Sequence, residues 1–408
     1  MKKSVLLLAL VGLSALTSVS AADKRILLIA GPKSHGPGDH EFRAGCLLLK
    51  KCLDPVPGVR VEVYTNGWPS SDSVFEGADA VVIYSDGGEG HPAIKGDRMK
   101  LMDALASKGV GIGCMHYAVE VPKGAAGQAM SRWIGGYYEH LYSVNPMWVP
   151  DYKTFPQTAV TRGVGSFGLL DEWYFNMRWP SETHSDASLE GAARSKPAGV
   201  TPILVATPSD KVRQGPYVYP SGPYPHIVAA KGRQETMMWT FERPDGGRGF
   251  GFTGGHKHVN WSNDNYRKVV LNAILWVAKA DVPANGVQSS VRPEDLAANL
   301  DPKGQPADAP NLTGAWTCHV ETANGSGDPH FTFVHAGQNL LGDYKGLFGA
   351  ATVFGEVGKN QNVKFWFNAT RDDQEIPVSY SGTVESSTRM QGKVKFGDVG
   401  EGTWTGQR

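Results

Sequence analysis

Of the twelve histidines in this chain, nine precede residue 282, and several stand just past the end of an apolar run. His35 and His40 follow Arg25–Ala30, His91 follows Asp86-Gly87-Gly88, His116 follows a run ending at Cys114, and His256 and His258 follow one ending at Thr253. An imidazole titrates near neutral pH and offers either ring nitrogen to a proton or a metal ion. Imidazoles gathered with a carboxylate therefore suit a divalent ion such as Zn or Mn, or a proton-transfer set. The metal candidates are His35, His40, His116 and His256. The catalytic candidates are His116, Glu172 and His256, with Glu172 as the carboxylate partner. No organic cofactor is expected. Asp86-Gly87-Gly88-Glu89-Gly90-His91 lacks the Gly-x-Gly-x-x-Gly spacing and the Lys of a phosphate loop, and reads as a turn lining a pocket.

Around these histidines the chain is dense in residues that recognise a polyol. Aromatic faces pack on sugar C–H groups, and carboxylates and amides give directional hydrogen bonds. Gly135-Gly136-Tyr137-Tyr138-Glu139-His140 and Asp171-Glu172-Trp173-Tyr174 are the densest such segments. Asp86, Glu120, Tyr137, Glu139, Trp173 and His258 are the substrate-binding candidates, and the expected ligand is a small carbohydrate.

The elements that must position these side chains alternate strand and helix. Arg25–Ala30, Val59–Tyr64, Ala80–Tyr84, Val110–Cys114, Thr236–Phe241 and Gly249–Phe252 read as strands, and continuous apolar runs among them suit strands buried on both faces. Segments 40–53, 97–106 and 265–279 read as helices, with Asp39 placed to cap the first. This order predicts an α/β fold with an open, mostly parallel sheet and helices on both faces. Its ligand site then lies beyond the carboxyl ends of the strands, where the histidine loops converge. Cys114-Met115-His116-Tyr117-Ala118 has the small-x-residue-x-small form of a strand-to-helix elbow, which predicts His116 exposed above the sheet.

Three segments taken in order carry a family resemblance: Gly113-Cys114-Met115-His116-Tyr117-Ala118, Asp171-Glu172-Trp173-Tyr174, and Gly251-Phe252-Thr253-Gly254-Gly255-His256 before a helix ending Ile274-Leu275-Trp276. Over about residues 24–279 the chain resembles the ThuA-like (trehalose-utilisation) family, whose fold is similar to flavodoxin and to the class I glutamine amidotransferases. The resemblance implies a role in disaccharide or keto-sugar metabolism, without the nucleophilic cysteine of the amidotransferases. Amidotransfer would require a reactive Cys114, two positions before the elbow's central residue. The chain departs from the family in two long stretches, 148–165 and 182–231. An enzyme acting on a carbohydrate is the first expectation, its reaction class (lyase, hydrolase or isomerase) left open. A non-catalytic sugar-binding or sensing protein is the second.

The remaining signals concern compartment and organisation. Lys2-Lys3, the apolar run Val5–Leu16 and Ser20-Ala21-Ala22 form a signal peptide over residues 1–22, predicting a periplasmic or secreted protein. The run is short for a membrane span. Forty basic and forty acidic residues argue against a nucleic-acid partner. Four cysteines are too few for a disulfide scaffold. The α/β domain spans 23–281, and Pro-rich residues 282–310 read as a linker. Residues 311–408 alternate apolar and polar residues between Gly turns, as in Val363–Phe367. They predict a small all-β barrel or sandwich of about eight strands, lipocalin-like, with Phe331, Phe333, Phe365 and Phe367 inward. This accessory domain is expected to bind a partner, a glycan or the main domain.

Overall fold

The computed structural model describes residues 23–180, 198–304, 310–358, 360–371 and 374–408. The signal-peptide segment 1–22 and residues 181–197 of the second long stretch lie outside them. The first domain is a seven-stranded sheet. Its strands are β1 (Lys24–Ala30), β2 (Val59–Tyr64), β3 (Ala80–Tyr84), β4 (Gly111–Met115), β5 (Val200–Ala206), β6 (Glu235–Glu242) and β7 (Arg248–Phe252), in the order β2-β1-β3-β4-β7-β6-β5. The first five in that order are parallel, and β6 runs antiparallel to both its neighbours. The sheet is thus mixed, with a mostly parallel body. Ile26–Ala30 and all of β3 are buried, as expected of strands covered on both faces. Helices α1 (Phe42–Leu53), α2 (Arg98–Ser107), α3 (Ala125–Ile134) and α4 (Asp264–Val277) provide the cover, and two apolar cores lie on opposite sides of the sheet.

Strand β5 falls in a stretch read from sequence as an insertion. Pro202 hides its pattern. Proline is tolerated there because β5 is an edge strand, and the pairing with β6 shifts register between Pro202 and Leu204. Cys46 and Cys52 are buried free thiols on α1.

Residues 282–304 are not an extended spacer. Val282, Val287 and Leu296 are buried in the first domain's core, and a short helix α5 (Pro293–Ala297) packs beside α1. The buried Lys303 ammonium sits 3.1 Å from a Glu41 carboxylate oxygen and donates to the backbone carbonyl of His40 at 3.2 Å. The proline content that suggests a linker sets turns in a docked strap instead.

The second domain is a closed eight-stranded antiparallel barrel. Its strands are β8 (Gly314–Thr322), β9 (His330–Ala336), β10 (Asn339–Gly346), β11 (Gly349–Val357), β12 (Asn362–Arg371), β13 (Gln374–Ser386), β14 (Arg389–Phe396) and β15 (Gly400–Gln407). Pairing of β15 back onto β8 abolishes the sheet edges. Alternate residues fill the interior. Phe331, Phe365, Tyr380 and Trp404 are buried, with ring centroids 4.6 to 5.6 Å apart along this chain of contacts. Each such ring contributes ~1.5–3 kcal/mol on burial. Trp316, Tyr344 and Trp404, each two residues after a glycine, all point into this core.

Candidate functional site

Strands β1, β3, β4 and β7 are neighbours in the sheet, so the loops leaving their carboxyl ends meet on one rim. Each loop delivers one polar group: His40 after β1, Asp86 after β3, His116 directly after β4 and His256 after β7. Three of the backbone turns are unusual. His35, His40 and His116 have φ of 56°, 48° and 55°, the left-handed region that costs a residue with a Cβ about 1–3 kcal/mol. The first and last loops are held together by His40 N–H donating to the His256 carbonyl at 2.9 Å and by a bridge between Asp39 and Lys257.

The result is a buried four-residue cluster of His40, His116, Glu172 and His256, whose donor atoms all lie within 4.8 Å of one another. His40 Nε2 is 2.9 Å from His116 Nε2 and 3.0 Å from His256 Nδ1. Glu172 Oε2 is 2.7 Å from His256 Nδ1 and 3.7 Å from His116 Nε2. Outward nitrogens of all three rings face oxygens: His40 Nδ1 faces Asp86 at 3.1 Å, His116 Nδ1 the Thr253 carbonyl at 3.0 Å, and His256 Nε2 Asp39 at 3.5 Å. An outward N–H donated to oxygen leaves the inward nitrogen with its lone pair. On these tautomers His40 and His116 turn two lone pairs to each other across 2.9 Å beneath the cavity, with the Tyr174 hydroxyl 3.4 Å from His116 Nε2. Such a contact between lone pairs is repulsive, and a cation between them would relieve it.

The donor set fits a divalent ion. Three imidazoles and a carboxylate, each ring facing an outer oxygen, are the ligands such ions take. Burial, reinforced by the neighbouring imidazoles, holds the His40 ring well below the usual imidazole range, and burial also lowers His116. Both are thus neutral at pH 7. His256 goes the other way: burial opposes its charge, but its hydrogen bonds to Asp39 and Glu172 push it up to about 10. Asp39 is held below the ordinary carboxyl range, because the His256 contact, the Lys257 charge and the Asn339 amide outweigh its burial.

A cavity of about 660 Å³ opens onto the cluster, within the size range of small-ligand sites. His40 and Glu172 form its floor, and Tyr117, Glu120, Tyr174 and the exposed Tyr219 form walls. The Glu120 carboxyl is pushed up to about 8, chiefly by burial and further by the Glu172 charge. Asn145, a second wall residue, donates to Glu172 Oε1 at 2.7 Å.

The remaining sequence candidates divide. His35 stacks on His40 at the cavity wall, ring centroids 3.6 Å apart, but lies outside the four-residue cluster; it groups instead with His40 and Asp86 on the outer side. Asp86 orients His40 and is not among the residues lining the cavity. Trp173 is wholly buried, donating to the Leu169 carbonyl and packing on Phe252 and Tyr266, so it cannot meet a ligand. Tyr137 and Glu139 are also internal: the phenol donates to Glu139, which is clamped by Arg178 at 2.8 Å. His258 is buried with Nε2 on the Leu296 carbonyl, where it anchors the 282–304 strap. His116 itself is 0% exposed to solvent, not standing free above the sheet as the elbow motif predicts. The elbow is real, but the other loops close over it. Cys114 is buried and its thiol is pushed up by desolvation, far from a reactive thiolate.

The roles of two residues named from the sequence escape sequence reasoning. Asp39 caps nothing; Glu41 precedes α1 without a side-chain cap, and Asp39 faces His256. Asp171 ties the Glu172 segment to the His256 loop, accepting from Gly255 N–H at 2.9 Å, Lys257 N–H at 3.1 Å and the Tyr266 hydroxyl at 2.8 Å. Its place between Leu170 and Glu172 gives no hint of that.

Fold and site together define a two-domain protein: an α/β domain with a three-histidine, one-carboxylate cluster at the strand ends, then a closed β-barrel. No family model and no curated protein matches the chain. Among solved structures it is similar to a ThuA-like protein from Bacteroides uniformis (14% identity, TM-score 0.42, 64% of this chain and 95% of that one). It is similar also to a ThuA-like protein from Parabacteroides merdae (14% identity, TM-score 0.43, 66% and 94%). A redesigned β-barrel matches 24% of this chain over 90% of its own length, at 16% identity and a TM-score of 0.21. Among the described residues, no helix is long and apolar enough to cross a membrane.

Proposed function

We propose that the chain is an exported, metal-dependent enzyme acting on a small carbohydrate, a disaccharide or keto-sugar, in the cavity above the cluster. The observation that carries the metal half is the pair of inward-facing Nε2 lone pairs of His40 and His116, 2.9 Å apart. His40, His116, His256 and Glu172 would hold the ion. Once bound, such an ion polarises a carbonyl or hydroxyl oxygen of the ligand. Glu120, protonated at neutral pH, is placed in the cavity wall to give a proton to a leaving or carbonyl oxygen and take it back. Tyr117, Tyr174 and Tyr219 offer faces for sugar C–H groups, and Asn145 keeps Glu172 aimed at the cluster. The signal-peptide sequence supports export.

The test is metal analysis of protein purified without chelator, followed by a panel of keto-sugars and disaccharides read by mass spectrometry with and without added Mn and Zn. Bound ion and metal-dependent turnover are expected. No bound ion and no effect of added metal would remove the metal half. Tight sugar binding without product would replace the enzyme by a binding protein.

A further inference from the structure

The barrel reaches the loops that carry the cluster through one hairpin. Strands β9 and β10 are joined at Ala336–Asn339, and the turn residues Gly337 and Gln338 are laid on Pro37-Gly38-Asp39, the loop that delivers His40. Gln338 N–H donates to the Pro37 carbonyl at 3.0 Å. The approach is backbone to backbone. A Cβ on Gly38 (φ +86°) would stand 2.5 Å from the Ala336 carbonyl oxygen, and one on Gly337 (φ +64°) would stand 2.2 Å from Gly38 N. Glycine at both positions is what lets the hairpin reach so far in.

What the hairpin brings is Asn339, 3% exposed. Its Nδ2 donates to Asp39 Oδ1 at 2.8 Å, and its Oδ1 accepts from Lys257 Nζ at 2.6 Å. The same Asp39 oxygen lies 3.5 Å from His256 Nε2 and 3.6 Å from Lys257 Nζ. A half-buried carboxylate between His256 and Lys257 has more than one way to point. The amide selects one, because only a side chain with a donor and an acceptor on one carbon can bond Asp39 and Lys257 at once. We infer that Asn339 is a positioning residue for the ion site: the barrel, through this amide, fixes Asp39 and thereby the orientation of the His256 ring. This rests on the proposal that the cluster holds an ion, and it makes the barrel a part of the site rather than a detachable accessory.

The experiment measures Zn(II) affinity of the full chain by competition with a chromogenic chelator, with thermal melting of each variant as a check on folding. Asn339→Asp keeps the shape and the Lys257 acceptor but loses the donor to Asp39. Asn339→Ala, the second variant, removes both donor and acceptor and covers a failure of the first to fold. Both should weaken zinc binding by ~10-fold, the lower end of what outer partners of a metal ligand carry. Gln338→Ala, on the same hairpin but off the relay, should bind zinc as the wild type does. In an Asp39→Ala background the Asn339 effect should vanish, since the two act through one contact. Wild-type affinity in a folded Asn339 variant, or an undiminished loss in the Asp39→Ala background, overturns the inference while leaving the ion site standing. A wild-type chain that binds neither zinc nor, in a parallel titration, Mn removes the ion proposal, and this inference with it.

Discussion

His40 and His116 face each other through Nε2 atoms 2.9 Å apart, 76 residues apart in sequence, with both outer nitrogens turned to oxygen acceptors. Two neutral imidazoles so arranged have no hydrogen to share with each other. The pair is therefore mutually repulsive, and an ion bound there, as proposed, would link the stability of the first domain to metal.

That linkage is measurable. A ligand at about 1,000 times its Kd stabilises the folded state by ~4 kcal/mol. Thermal melting of wild type should rise by several degrees with added Zn or Mn, and the rise should be absent in His116→Ala. Because His116 is fully buried, His116→Ala should also lose about 1–3 kcal/mol without metal, a cost that an exposed elbow residue would not show. An equal metal-induced rise in the variant would show that the ion binds elsewhere.

Glu120 predicts a pH dependence with a definite sign. Its carboxyl is pushed from an ordinary 4.5 up to about 8, chiefly by burial, so between these values the folded chain holds a proton that the unfolded chain has released. Stability from this group is present below pH 4.5 and falls as pH rises to about 8. Glu120→Gln should flatten that part of the profile and be more stable than wild type at pH 9 by ~2 kcal/mol or more. Urea unfolding at pH 5, 7 and 9 checks it; parallel profiles for the two proteins would contradict the buried, protonated carboxyl. Turnover, where found, should fall above pH 8 as the acid form is lost.

Gly255 sits in the His256 loop at φ +115°, where a Cβ would lie 3.2 Å from the His116 Cβ and 3.3 Å from the Tyr84 ring. Gly255→Ala adds that crowding to a backbone cost of about 1–3 kcal/mol. Gly246→Ala, at φ +77° in a hairpin turn with open space around its Cβ, carries the backbone cost alone. The first variant should therefore melt lower than the second and bind metal more weakly. Equal melting would mean that the cluster yields easily around Gly255.

The barrel has an aromatic core of its own, built from residues 312–404 and closed by pairing of its first and last strands. A fragment of residues 310–408 should fold, with near-ultraviolet circular dichroism from its buried tryptophans and a cooperative melt. A fragment without tertiary signal would show that docking on the first domain is required.

Much of this was legible in the chain alone. Continuous apolar runs marked four of the five parallel body strands outright, because a strand buried on both faces has no other composition open to it, and alternation with helices gave the mostly parallel class but not the strand order. Histidines at strand ends then had to meet on one rim. The alternation in Val363–Phe367 likewise fixed which barrel side chains point inward. Periodicity stops at the end of a regular element, however, and the residues on which sequence reasoning erred lie beyond such ends. In Asp171-Glu172-Trp173-Tyr174 the chain is nearly irregular, and only packing put Glu172 and Tyr174 toward the cavity while Trp173 went to the core. Tyr137 and Glu139 look like ligand-binding residues until Arg178, 39 positions beyond Glu139, claims the carboxylate. Asp39 looks like a helix cap until His256 and Asn339 arrive from 217 and 300 positions away. Local sequence determines which face of an element is apolar; the partner of a buried charge is chosen by whichever distant group the fold brings within hydrogen-bond reach, and that is a property of the tertiary structure alone.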